Sequence, residues 1–246
     1  VQEVLAHPVI GHAPLFLEHN FPMNIFTVLY TNVNGTPEYS ANAGYSPVWV
    51  DRLVAAIERN SVQRNHFFCL VDREDYTFRE RVQTILLQDK IEGWSPMMEA
   101  FRPNICEGPR MVLGLDTIIT GSIEHILNWT GDCGLLDDPF AKGQLCNGVG
   151  IYSPQVIGRF WYLWSERNRL FKSGELYYNG ALSEMAFLRI VAKDATRLNR
   201  IFPLEIQSYK EHWKKNSGQR KEARMVYFHG HPKPPNVERE LLEHWI

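Results

Sequence analysis

Asp116 and His229 draw attention first, because each closes an apolar run. Asp116 ends MVLGL within RMVLGLDTIITGS, and His229 ends MVYF and opens HGHPKPP. An acid at the carboxyl end of a buried strand faces the crevice where open α/β sheets bind ligands. The same acid can instead cap the segment after it, and spacing alone leaves both readings open. Beyond His229, Gly230 permits close approach of backbone to a ligand. Lys233 sits between two prolines and offers a point charge to phosphate. The competing account is an exposed proline-rich tail carrying a surface lysine.

These groups need elements to hold them. NIFTVLYTN (Asn24–Asn32) is β-branched and aromatic and ends in turn formers, as a core strand does. The loop VNGTPEYSANAGYS follows. Ser46-Pro47 then opens a helix over Pro47–Arg59, with Trp49, Val50, Leu53, Val54 and Ile57 at helical spacing. HFFCLVD (His66–Asp72) and RVQTILLQD (Arg81–Asp89) read as strands, and Trp94–Phe101 as a short helix. RMVLGLDTIITGS holds a buried strand broken at Asp116. CGLLDD, CNGVGIYS and MVYFH read as further strands, and Pro154–Arg169 and Ser183–Asp194 as helices. Strands alternating with helices predict an α/β domain whose mostly parallel sheet is covered on both faces.

Composition agrees. The 246 residues are 44% hydrophobic and 22% charged, which suits one large α/β domain. A net charge of −2 gives the whole chain no polyanion-binding signature. The four cysteines show no C-x-x-C pair, so free thiols and a reducing, cytoplasmic setting are expected. No stretch reaches the ~18–20 apolar residues that span a bilayer. Residues 1–23 lack the basic and apolar regions of a signal peptide and read as an irregular arm before a domain over 24–246.

Taken in order and spacing, LGLDTIITGS, CNGVGIYS, IQSYK and FHGHPKP resemble nucleotide-sugar glycosyltransferases of the GT-A fold. The likeness is to bacterial and phage relatives of the glycogenin-like and lipopolysaccharide-galactosyltransferase-like group. It runs from about Asn24 to Val237. The resemblance implies a single GT-A-like domain with a mixed, mostly parallel sheet. It also implies a nucleotide diphosphate sugar as donor, a uridine one foremost, and an acceptor hydroxyl. The family's D-x-D strand end maps onto Gly114-Leu115-Asp116, so its first acid is missing here. Its late H-x-G-x-x-K-P motif resembles His229, Gly230, Lys233 and Pro234, with tighter spacing.

The resemblance implies metal assistance by Mn²⁺ or Mg²⁺ on Asp116 and His229, with a divalent ion neutralising the leaving diphosphate. It assigns Thr31, Asn32 and Asp72 to the nucleoside, with Tyr39 or Tyr45 available to stack on the base. Gly230 and Lys233 go to the diphosphate and Asn147 to the donor sugar. Glu184, in LSEM, takes the place of a family Asp-Gln pair and would orient sugar or acceptor hydroxyls. A first-turn acid on a surface helix is the competing account of Glu184.

Three alternatives stand beside this reading. A phage-type DNA glycosyltransferase acting on a modified base would use the six basic residues of KEHWKKNSGQRKEAR (Lys210–Arg224) along a phosphate backbone, although charge runs are commonly solvated faces. A nucleotidyltransferase would show a basic, glycine-rich loop after the first strand, and YTNVNGTPEYS has no Lys or Arg. A non-catalytic sugar-nucleotide-binding module is favoured only by the glycine at 114. The acceptor, whether glycan, lipid-linked sugar or DNA, stays open.

Overall fold

The computed structural model describes residues 22–30, 44–89 and 92–246. Most of the expected arm, together with Thr31, Asn32 and Tyr39, lies outside the described residues.

Side-chain alternation along three strands explains the architecture. In β1 (Asn24–Leu29), Ile25 and Leu29 face one apolar core, while Phe26 and Val28 face another. β2 (His66–Val71) splits the same way, with Phe67, Cys69 and Val71 against Phe68 and Leu70. β4 (Arg110–Leu113) sends Met111 and Leu113 one way and Val112 the other. Strands apolar on both faces must be covered on both. The central sheet has seven strands in the order β10-β6-β7-β4-β1-β2-β3. The others are β3 (Gln83–Leu86), β6 (Cys133–Asp137), β7 (Leu145–Tyr152) and β10 (Thr196–Arg197). Only β7 runs against the rest, pairing antiparallel with β4 and β6.

One face is covered by α1 (Pro47–Arg59), which buries Trp49, Val50, Leu53, Val54 and Ile57, the positions its spacing predicts. The short α4 (Arg239–Trp245) packs on it through Leu241 and Trp245. The other face is covered by α2 (Pro154–Ser165) and α3 (Glu184–Val191), whose Phe160, Trp164 and Phe187 are fully buried. The single helix expected over Pro154–Arg169 ends at Ser165, and a separate turn covers Arg167–Leu170. The segment Ser95–Phe101 is a 3₁₀ rather than an α-helix. The strand expected over Arg81–Asp89 is shorter and lies at the sheet edge with exposed side chains.

A second sheet of three strands joins β5 (Ile118–Ile119), β11 (Ile206–Ser208) and β12 (Met225–Tyr227). The expected strand MVYFH therefore belongs here and not to the central sheet. β12 pairs antiparallel with β5, Val226 opposite Ile118 and Met225 opposite Ile119. That register, continued past both strands, brings Asp116 level with Phe228, the neighbour of His229. The polar run after β11 is folded: a π-helical turn over Tyr209–Trp213, then a 3₁₀ turn over Ser217–Glu222. A π-turn of this kind commonly marks a functional position. No helix among the described residues is long and apolar enough to cross a membrane, and all four cysteines are free thiols.

Candidate functional site

The carboxyl ends of β1, β4 and β12 and the amino end of β7 border one cavity of about 840 Å³. Crevices at strand carboxyl ends are where open α/β sheets bind ligands. Asp116, Asn147, Glu184, His229, Gly230 and Lys233 all line it, although they come from four separate stretches of sequence. Four positions in the fold supply them: the turn after β4, the amino end of β7, the first residue of α3, and the exit from β12.

Asp116 sits in that turn, which is closed by the Thr117 N–H donating to the Gly114 carbonyl at 3.0 Å. Its carboxylate is buried and faces the cavity. The Tyr45 hydroxyl donates to its Oδ2 at 3.0 Å, and the Lys233 ammonium makes a close ion pair with the same oxygen. So the carboxylate does not act as a cap, and Lys233 is not a surface lysine: its side chain is 12% exposed. Burial beside this carboxylate holds the Tyr45 hydroxyl far above its ordinary pKa, so it stays a donor. Tyr45 also stacks edge-on against Trp49, at 4.8 Å between ring centroids.

His229 lies between the rings of Phe140 and Tyr227, 5.2 and 5.0 Å away, with its Nε2 3.9 Å from the Cys146 sulfur. Burial lowers its pKa; the facing Asp138 and Asp116 oppose that, and Lys210 and Lys233 add to it. The imidazole is therefore neutral at physiological pH. Burial likewise pushes the Cys146 thiol up to about 12, leaving it inert as a nucleophile.

Glu184 is the first residue of α3, whose cap is Ser183: the Ser183 Oγ accepts from the Ala186 N–H at 3.3 Å. It opens the helix and also lines the cavity. The Asn147 amide donates to Glu184 Oε1 at 3.0 Å, whereas Oε2 is buried without a hydrogen-bond partner among the described residues. Burial pushes the carboxyl up to about 7, against the opposing pull of the Asn147 amide. A carboxyl whose pKa is raised by burial at the wall of a cavity is the setting for proton transfer.

Other expected groups fare differently. Asp72 follows β2 directly and is half-buried, but it does not line the cavity. Asp137 is tied to Arg200 at 2.7 Å, and Asp138 pairs with Arg189 while lining the cavity. Lys210, at the start of the π-turn, lines the cavity beside Gly230: a Cβ built on Gly230 would lie 3.9 Å from its ammonium nitrogen. Sequence reasoning missed Lys210. The sequence placed it in IQSYK and in the basic run Lys210–Arg224, without a role at the diphosphate.

The fit of a resident divalent ion depends on what these side chains offer. Among the described residues no group of three or more His, Cys, Asp or Glu side chains converges on one point. Of the expected pair, Asp116 already carries an ammonium and a phenol on one oxygen. A side chain at 114 would bring its Cβ within 2.9 Å of the other carboxylate oxygen, and the residue there is glycine. One partly neutralised carboxylate and one imidazole do not fit Mg²⁺ or Mn²⁺, which seek several oxygen ligands.

No protein-family profile and no curated protein sequence matches the chain. Solved structures do. The bifunctional glycosyltransferase WbbM aligns over 94% of this chain at 11% identity and a TM-score of 0.56. The glycosyltransferase GlyE of Streptococcus pneumoniae TIGR4 aligns over 91% at 13% identity and a TM-score of 0.60. The galactosyltransferase LgtC, solved with donor and acceptor sugar analogues, aligns over 89% at 12% identity and a TM-score of 0.54. The chain spans 51% of the WbbM chain and 59% of the GlyE chain, against 91% of LgtC. It shares with them a single GT-A-like fold.

Proposed function

We propose that this chain is a glycosyltransferase that moves a sugar from a nucleoside diphosphate to an acceptor hydroxyl. The observation that carries this is the convergence of Asp116, Asn147, Glu184, His229, Gly230 and Lys233 on one cavity at the strand ends. The shared fold with WbbM, GlyE and LgtC supports the same reading.

The cavity divides by chemistry. Lys233, Lys210 and Gly230 form its phosphate end, where ammonium groups flank backbone that a ligand can approach. Asn147 and Glu184 form its sugar end, with one carboxylate oxygen held by the amide and the other buried without a partner among the described residues. The resemblance assigns Thr31, Asn32 and Asp72 to the nucleoside, and Asp72 does not line this cavity. In transfer, the bond from the sugar's anomeric carbon to the diphosphate breaks, and the nucleoside diphosphate leaves with the electron pair. The acceptor oxygen forms the new bond to that carbon, and its proton passes to the ionised Glu184 carboxylate.

The resemblance implies Mn²⁺ or Mg²⁺ at Asp116 and His229; the donor set there does not fit such an ion, so no step is routed through one. A DNA acceptor would draw on the basic run, but Lys215 pairs with Glu211 at 2.7 Å and Arg220 with Glu240 at 2.6 Å. Glycans and lipid-linked sugars therefore come before DNA as acceptors, and cytoplasmic action fits the four free thiols.

The test is release of nucleoside diphosphate from a panel of nucleotide sugars, with UDP-sugars first. Wild-type protein should release it, and Glu184→Gln and Asn147→Ala should do so at least about tenfold more slowly, ~1.4 kcal/mol of transition-state stabilisation. Equal rates in all three proteins would remove the sugar end of the site from the reading.

A further inference from the structure

We infer that fixed lysine charges, Lys233 held on Asp116 and Lys210 across Gly230, neutralise the donor diphosphate in place of a divalent cation. This rests on the transferase reading and specifies how its leaving group is stabilised.

Four observations lead there. The position that would supply a second carboxylate, 114, is a glycine, so the turn after β4 presents a single acid. The Lys233 ammonium is paired with that acid on the oxygen that also accepts from Tyr45. Asp116 is thus a positioning residue for a cation the protein itself supplies. An ammonium has three N–H donors, and one spent on Asp116 leaves two for phosphate oxygens. Lys233 stands between Pro232 and Pro234 at the start of a 3₁₀ turn, so its backbone is fixed. Lys210 and Lys233 both line the cavity together with His229 and Gly230.

The site is built for an anion more than for a second cation. A divalent ion on Asp116 would sit against the Lys233 ammonium in a partly buried cavity, where like charges repel strongly. A diphosphate meets two ammonium groups lining the same cavity, that of Lys210 beside Gly230 and that of Lys233 on Asp116. His229, packed between the Phe140 and Tyr227 rings, lines the same cavity.

The experiment measures affinity for UDP, GDP, ADP, CDP and dTDP on the metal-stripped full chain in EDTA, then with Mn²⁺ or Mg²⁺ added, by calorimetry. Mn²⁺ binding to nucleotide-free protein is followed in parallel by its paramagnetic resonance. The inference expects a nucleoside diphosphate to bind in EDTA with an affinity within about threefold of that with Mn²⁺. Lys233→Met should weaken it at least about tenfold in both conditions, and Lys210→Met should do so even if Lys233→Met fails to fold. Binding abolished by EDTA and restored by Mn²⁺ would overturn the inference and leave the transferase reading standing. No binding of any of the five diphosphates in either condition would overturn both. Gly114→Asp supplies the converse: it should create a measurable Mn²⁺ site that the natural chain lacks.

Discussion

Glu184 is where burial and chemistry pull hardest against each other. Its folded pKa is raised to about 7 by burial, above the ordinary 4.5 of the unfolded chain. Between those values the folded state holds a proton that the unfolded state has lost. Stability from this group is therefore complete below about pH 4.5 and is lost as pH rises to about 7. Glu184→Gln removes the titration. The variant should be more stable than wild type at pH 8, by on the order of 3 kcal/mol, and equal to it near pH 4. Denaturant melts at the two pH values check this; equal stabilities at pH 8 would mean the carboxylate is well solvated. Activity should behave oppositely, rising with pH around an apparent pKa near 7, because the ionised form accepts the proton. A flat profile between pH 5 and 8 would remove Glu184 as the base. The resemblance implied the site role of this residue, and the sequence carried its capped first turn. It could not carry the Asn147 contact that joins them, since a strand and a helix far apart in sequence must meet for it to exist.

At the scale of elements, the site depends on how closely the second sheet approaches the first. β7 and β12 meet at Gly148, where a Cβ would lie 2.5 Å from the Tyr227 ring. Tyr227 is buried and packs on His229, so that ring is the spacer between the sheets and the wall of the cavity. Gly148→Ala should force Tyr227 aside and cost about 1–3 kcal/mol as overpacking does. It should also weaken nucleoside diphosphate binding, because His229 and Gly230 move with Tyr227. Gly148→Ala paired with Tyr227→Leu should recover most of the stability; a double variant no more stable than the single would show that the strain lies in the backbone. The strand pattern of MVYFH was legible because four apolar residues precede the histidine. Its place in a separate three-stranded sheet was not, because membership follows from pairing with the two-residue β5, too short to leave a periodic signal. Helix α1 and the cores of β1, β2 and β4 were legible for the opposite reason: long apolar periodicity leaves one way to bury them.

At the scale of the molecule, packing ties the chain's last helix to the candidate site. Trp245 is buried and stacks edge-on against Trp49 at 4.9 Å, with the Arg52 guanidinium 4.0 Å over its ring. Trp49 stacks on Tyr45, and Tyr45 donates to Asp116. Rings in a close-packed interior transmit displacement, because there is little free volume to absorb it. Deleting the indole should therefore do two things. Trp245→Ala should lower stability by about 3–5 kcal/mol through lost burial and the cavity left behind. It should also weaken diphosphate binding at saturating stability conditions, since Trp49 settles toward the gap and draws Tyr45 from Asp116. The ligand gives a matching check on the intact chain: a nucleoside diphosphate at a hundredfold excess over its Kd should stabilise wild type by about 2.7 kcal/mol. Measured at low temperature, where Trp245→Ala remains folded, that ligand-induced gain should shrink. Trp245→Phe keeps a ring against Trp49 and should restore the gain while recovering only part of the stability. If Trp245→Ala is destabilised yet binds the diphosphate as tightly as wild type, the aromatic relay carries no coupling, and α4 serves only to close the apolar core on that face of the sheet.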